Sequence, residues 1–292
     1  MWVILAIVSA LCLGFYDVTK KLSLRGNNVL AVLFLNTLFC SLLMSPVIIT
    51  GLLGGNWGLG NTWQGHVQII LKAVIVLSSW LMGYFSIKQL PLTIAGPINA
   101  SRPVMVLAGA LLIFGERLNL LQWAGVALGF FSLFFISRIG RSEGFARGKA
   151  KWLWLSIGAA FMCALSALYD KYLMSGFKPL EVQAWYTFYQ FIIMGATILL
   201  MSRNGHGDGG RLHWRWSILF ISVFLTIADL AYFYALSLPG AMVAIVSMIR
   251  RGSVVVSFIY GILMLHEKNV RRKTVDLCIL LAGLALLIFG SV

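Results

Sequence analysis

Charge is scarce in this sequence. Only 11% of its 292 residues are Asp, Glu, Lys or Arg, against about 25% in an ordinary soluble domain. Carboxylates are the scarcer sign, nine against 23 lysines and arginines. Apolar residues make up 60% of the chain. A chain of this length cannot hide so much apolar surface in a water-solvated fold, so lipid is the natural solvent. The net charge of +14 invites a nucleic-acid reading. The basic residues, however, stand in short segments between apolar runs, as they do at a cytoplasmic membrane face. No nucleic-acid partner is expected.

Cysteine is also rare. Cys12, Cys40, Cys163 and Cys278 each lie inside an apolar run, and none forms a C-x-x-C pair, so neither a disulfide framework nor a metal site is expected. The P-loop pattern G-x-x-x-x-G-K-[ST] is absent, which argues against an ATP-driven pump on this chain alone. H-E-x-x-H and G-x-S-x-G are absent too. No catalytic residue, enzyme activity or cofactor is therefore expected. The N-terminus carries no basic n-region and no small-residue cleavage site, and reads as a first membrane helix.

What is present is a series of apolar runs. A bilayer core needs about 20 apolar residues in a helix. On that scale the chain divides into ten, at roughly 2–22, 29–51, 67–88, 92–114, 119–137, 151–173, 180–202, 215–237, 240–264 and 273–291. The runs are continuous and do not alternate, which favours helices over a barrel. The expected fold is all-α and integral to the membrane.

The two halves repeat each other. Tyr16-Asp17 in the first run is matched by Tyr169-Asp170 in the sixth. Tyr84-Phe85, Leu90-Pro91 and Arg102 are matched by Tyr232-Phe233, Leu238-Pro239 and Arg250 at a constant offset of 148 residues. Glu116-Arg117-Leu118-Asn119 is echoed by Glu267-Lys268-Asn269. Residues 1–146 and 147–292 thus read as two five-helix repeats. An odd number of spans inserts the second copy upside down, the inverted architecture whose binding sites lie at the repeat interface. With the N-terminus outside, sixteen loop lysines and arginines face the cytoplasm and three face outward. The positive-inside rule then puts both termini outside.

Charges inside the runs are the candidate site. Arg102, Arg250 and Arg251 fall near span centres, where each costs about 2.5–3.5 kcal/mol on insertion scales unless it meets a cavity or a partner. Guanidinium binds carboxylate or phosphate through two parallel hydrogen bonds, so these three are candidate substrate-binding residues, with Trp80, Tyr84, Asn99 and Tyr232 beside them. Lys72 is a fourth basic residue within the spans. Asp229, Asp17 and Asp170 are open to two readings. They carry a coupling proton, or they form ion pairs: Asp229 with Arg250 or Arg251, and the other two with Lys20, Lys21 or Lys171. Gly125 and Gly129 make a G-x-x-x-G suited to close helix packing.

The segment Gly115-Glu116-Arg117-Leu118-Asn119, followed by Gln122-Trp123-Ala124-Gly125, resembles the drug/metabolite transporter superfamily in its EamA-like branch. The resemblance extends to the ten spans and the five-plus-five repeat. It implies alternating access around a cavity lined mainly by helices 1, 3, 4, 6, 8 and 9, and substrates that include amino acids, sugars, nucleotide-sugars, phosphorylated sugars and amines. Well-described ten-helix members are drawn with both termini cytoplasmic, whereas the loop charges here argue the reverse. The expectation is a secondary transporter of a small polar, anionic or neutral, organic metabolite in the cell (inner) membrane. A flippase for a lipid-linked substrate is the alternative, a membrane-embedded enzyme a weaker one. The expected partners are the small-molecule substrate, membrane lipids and protons, with the chain a monomer or homodimer.

Overall fold

The structure is a computed structural model that describes residues 1–24, 27–55, 58–89, 98, 101–139, 150–203, 213–253, 255–256, 259–260 and 270–291. Among these residues there is no strand. Among the described residues the bounded α-helices are α1 (Trp2–Leu24), α2 (Val29–Leu53), α3 (Trp63–Gln89), α4 (Arg102–Ile113), α5 (Leu120–Ile139), α6 (Ala150–Gly176), α7 (Pro179–Arg203), α8 (Ser217–Ser237), α9 (Val243–Arg250) and α10 (Val270–Phe289). Among the described residues five stretches are long and apolar enough to cross a bilayer: Trp2–Leu24, Val29–Leu53, Trp63–Gly83, Lys151–Gly176 and Ser217–Ser237. Arg102–Ile113, Leu120–Ser132 and Cys278–Phe289 are apolar but shorter. Large apolar side chains such as Leu42, Leu112 and Phe161 face outward, as a lipid solvent permits. Trp63, Trp154, Trp214 and Trp216 stand exposed near helix ends, the place amphipathic rings take at a membrane interface. The Leu90-Pro91 and Glu267-Lys268-Asn269 elements of the sequence repeat lie outside the described residues.

Of the span expected at 92–114 the structure describes residues 98 and 101–114, and of that expected at 240–264 it describes residues 240–253, 255–256 and 259–260. Helix α4 opens at Arg102, with Ser101 in a turn before it and Pro103 in its first turn. Proline lacks an N–H, and the first turn is where none is needed. Helix α9 closes at Arg250. Arg251 and Gly252 form a turn, and helical residues resume at Ser253. Arginines expected near the middle of spans therefore stand at helix ends.

The packing partners are distributed evenly over the two halves. Helix α1 lies along α8, and α3 along α6. Helix α2 packs on α7, α5 on α10, and α4 on α9. Adding five to a helix number in the first half turns each pair into another pair of the set or into itself. Membrane helices associate through small residues and interhelical hydrogen bonds, because lipid tails are as apolar as leucine. The Ser9 hydroxyl donates to Ala228 O across α1/α8 at 2.7 Å, and the Ser79 hydroxyl donates to Ala159 O across α3/α6 at 2.9 Å.

The α5/α10 contact is backbone against backbone. A Cβ on Gly125 would stand 2.7 Å from Gly283 O, and one on Gly283 would stand 3.0 Å from Gly125 O. Neither neighbour is a side chain that could swing away. Gly125→Ala is therefore expected to cost about 1–3 kcal/mol, as overpacking of a fitted interface does. The readout is the melting temperature of the purified protein in detergent. An unchanged value would mean that the two helices separate freely.

Candidate functional site

Side chains of seven helices, with Arg251 and Ser253 beyond the end of α9, line an open cavity of about 340 Å³. Its wall is contributed by α1, α3, α4, α6, α8 and α9, the set that the resemblance implies, with Tyr186 of α7 added. The structure brings most of the sequence candidates together here. Trp80, Arg102, Tyr232, Arg250 and Arg251 line the cavity, and so do Asp17, Asp170 and Asp229. Asn99 and the side chain of Tyr84 lie outside what is described.

Two of the cavity's cations are spoken for. Arg250 donates from Nη2 to Asp229 Oδ1 at 2.8 Å, and its guanidinium lies 4.0 Å from the ring centroid of Tyr232. Both partners of that pair are about one-fifth exposed, so the cavity reaches them. Lys72 pairs with Asp170 between α3 and α6. Its ammonium also faces the rings of Tyr186 at 4.5 Å and Phe233 at 4.7 Å. Asp170 thus pairs with a lysine 98 residues away in sequence rather than with adjacent Lys171. Neighbours on a helix do not face each other. Lys171 turns away and donates to Leu236 O at 3.2 Å and Ala241 O at 2.7 Å.

Among the described residues neither Arg102 nor Arg251 makes an ion pair, and Nε of Arg102 is buried without a hydrogen-bond partner. Both guanidinium groups line the same cavity. Asp17 likewise has no ion pair at contact distance. The charges acting on it are those of Lys20, Arg251 and Arg250. Arg102 also stands at the N-terminus of α4, where free backbone N–H groups and the helix dipole favour a negative charge. Among the described residues no three His, Cys, Asp or Glu side chains converge as a metal site.

This cavity, lined by arginines and aspartates from both halves of the chain, is accompanied by a family match over nearly the whole length. The model of the EamA-like transporter family fits the chain twice, over residues 1–138 and 150–289. The chain belongs to the EamA-like transporter family. It is a multi-pass membrane protein of transporter kind. An "Uncharacterized transporter" of Archaeoglobus fulgidus is 21% identical over 290 residues, which cover 98% of this chain and 97% of that relative. A solved crystal structure superposes with a TM-score of 0.73 at 14% identity, covering 98% of this chain and 95% of the other. At that identity the likeness shows the fold alone.

The Gly115-Glu116-Arg117-Leu118 segment of this EamA-like transporter has a definite structural task. Glu116 accepts the backbone N–H of Val243 at 2.6 Å and of Ala244 at 3.2 Å. It therefore caps the N-terminus of α9, which has no capping side chain of its own. A loop of the first half thus holds the arginine-bearing helix of the second. Burial raises the Glu116 carboxyl above the usual carboxylate range, against the pull of the two amides and Lys171. Lys72 and Tyr186 are the residues that sequence reasoning left out of the site. Both sit in helices whose cavity-facing side only the packing reveals.

Proposed function

We propose that this protein is a secondary transporter that carries a small polar organic metabolite with an anionic group across the cytoplasmic membrane. The observation that carries the proposal is the pair Arg102 and Arg251, two cations facing one cavity with no carboxylate in ion-pair contact with either among the described residues. Charge held in this way inside a membrane protein marks a substrate pathway. The volume of about 340 Å³ suits a small metabolite. The chain then works as two inverted five-helix repeats, 1–146 and 147–292, rocking about the cavity. The self-matching set of helix pairs and the double family match support that reading. Both termini lie outside, supported by the excess of basic residues in the alternate loops.

The test is a thermal-shift screen on the purified transporter with carboxylates, phosphates, neutral sugars and amines in parallel. A ligand present at 100 times its Kd stabilises by about 2.7 kcal/mol. Anionic solutes are expected to raise the melting temperature of the wild type and to lose that effect in Arg102→Gln. The same solutes are expected to accumulate in proteoliposomes. Stabilisation by neutral or cationic solutes alone, undiminished in Arg102→Gln, would overturn the anionic reading. Binding without uptake would overturn transport.

A further inference from the structure

One end of the bundle is packed solid. A single cluster of buried side chains joins the first two turns of α1, α3, α7 and α9 to the last turns of α6, α8 and α10. Leu59, Ile69, Leu173, Val182 and Val243 in it have no exposed surface. Val3 belongs to the cluster, so this is the end at which the N-terminus stands. Two carboxylates fasten it across the halves. Glu116 of the first half caps α9, and Glu181 of the second half accepts the backbone N–H of Leu59 at 2.7 Å. Beneath this apolar plug the wall of the cavity is charged. Lys72 and Asp170 pair there, beside Tyr186 and Phe233. Lys72 lies about 13 Å along α3 from Trp63, and Asp170 about 9 Å along α6 from Gly176. Among the described residues this is the one ion pair that joins the two halves of the chain. The repeat does not duplicate it. An offset of 148 residues carries Lys72 to Phe220, which is exposed on α8.

We infer that the Lys72–Asp170 pair is the gate of this closed end, the seam along which α3 and α6 part when the cavity opens toward the face that carries the N-terminus. The inference rests on the transport reading above and gives it a moving part. A wholly apolar plug resists opening, because parting it wets apolar surface. A buried ion pair behaves differently. It loses hydration when the seam closes and regains it when the seam opens, so that attraction and desolvation largely cancel. A charged seam beneath an apolar plug therefore lets the end close without trapping it shut. The rings of Tyr186 and Phe233 steady the ammonium while the seam is closed.

The experiment measures how fast the membrane-impermeant 2-sulfonatoethyl methanethiosulfonate reaches Cys163 from each face of sealed vesicles of known orientation. Cys163 lines the cavity, and the other three cysteines are replaced by alanine throughout. With Lys72 and Asp170 in place, labelling from the N-terminal face is expected to be slow but measurable, through transient openings, and labelling from the opposite face faster. Lys72→Met/Asp170→Leu is expected to slow labelling from the N-terminal face at least about tenfold further, because apolar residues favour a buried site over the pair they replace. The rate from the opposite face is expected to stay as it was, and the melting temperature to stay or rise. Lys72→Arg keeps a cation opposite Asp170 and is expected to keep both rates. A rate from the N-terminal face that is unchanged or raised in the double variant would overturn the gate and leave transport in place. Equal rates from the two faces with the pair intact would overturn it as well, since the end would not be closed. Loss of the melting transition in the double variant would make the pair structural and overturn the gate. If Cys163 beside the intact pair is reached from one face alone, the cavity does not alternate, and the transport reading falls with the gate.

Discussion

Lys72→Met is expected to destabilise the transporter by about 3–5 kcal/mol, because removing one member of a buried ion pair strands the other's charge. The lysine side chain is 2% exposed and that of Asp170 is 8% exposed. Among the described residues the ammonium meets, beyond the carboxylate, the faces of Tyr186 and Phe233. Cation–π contacts of about 0.5–2 kcal/mol each hold a cation in place but supply nothing to a carboxylate left behind. The pair itself need not be strongly stabilising. Replacing both members by apolar residues is often neutral or better. Lys72→Met/Asp170→Leu is therefore expected to return to within about 1 kcal/mol of the wild type, a coupling that a double-mutant cycle measures. Unfolding in detergent micelles provides the readout. A single-variant cost under 1 kcal/mol would show that Asp170 is satisfied without Lys72. Because the pair is neutral as a unit, its removal is also expected to leave the anion preference of the cavity intact. Loss of that preference in the double variant would make Lys72 a contact of the solute.

The two aspartates that the sequence repeat equates have thus come to differ. Asp170 in α6 faces a lysine on α3. Asp17 in α1 faces α8, where no lysine stands at the matching place, and its nearby charges are Lys20 and the arginines of α9. One copy is closed by an ion pair that ties the halves together. The other copy leaves its carboxylate within reach of the charges of Lys20, Arg251 and Arg250.

Much of this frame can be read from the residues. Apolar runs set the helices, and the Tyr-Phe, Leu-Pro and Arg spacing set the repeat. Arg102 and Arg250 were recognisable as equivalent positions because a charge within a lipid-facing run has to be explained. The pairing of the charges was legible in part: Asp229 was expected on Arg250 or Arg251 and pairs with Arg250, whereas the partner of Asp170 was missed. Local spacing offered Asp170 a partner at Lys171, and only the packing of α3 against α6 brings Lys72 to it. The breaks in α4 and α9 carried signals, Pro103 and Gly252, but a hydropathy window averages over them. The capping of α9 by Glu116 joins residues 127 positions apart, a distance over which no sequence pattern reports. Contacts between elements depend on how the helices cross, and crossing is decided by close approaches such as Gly125 on Gly283.

Cys163 offers a reporter already in place, and it is expected to react at least about tenfold faster with an anionic thiol reagent than with a cationic one, within the range by which a charged cleft concentrates counter-ions. Its side chain lines the cavity, and Arg251 lies within its electrostatic reach. The comparison needs 2-sulfonatoethyl and 2-(trimethylammonium)ethyl methanethiosulfonate, which deliver the same disulfide chemistry with opposite charge. The other three thiols, Cys12, Cys40 and Cys278, are replaced by alanine so that only Cys163 reports. The size of the two reagents is similar, so their rate ratio at Cys163, divided by the ratio at a free thiol in solution, isolates the field of the cavity. Arg102→Gln is expected to bring that ratio down severalfold, since it removes one of the two unpaired guanidinium groups. A ratio near one in the wild type would mean that water and counter-ions already screen the arginines, and that they do not draw anions inward. Reaction from one face of sealed vesicles but not the other would show which side of the membrane the cavity opens to. A solute that binds at Arg102 and Arg251 is expected to slow the labelling from that same face, because it would occupy the space through which the reagent must pass.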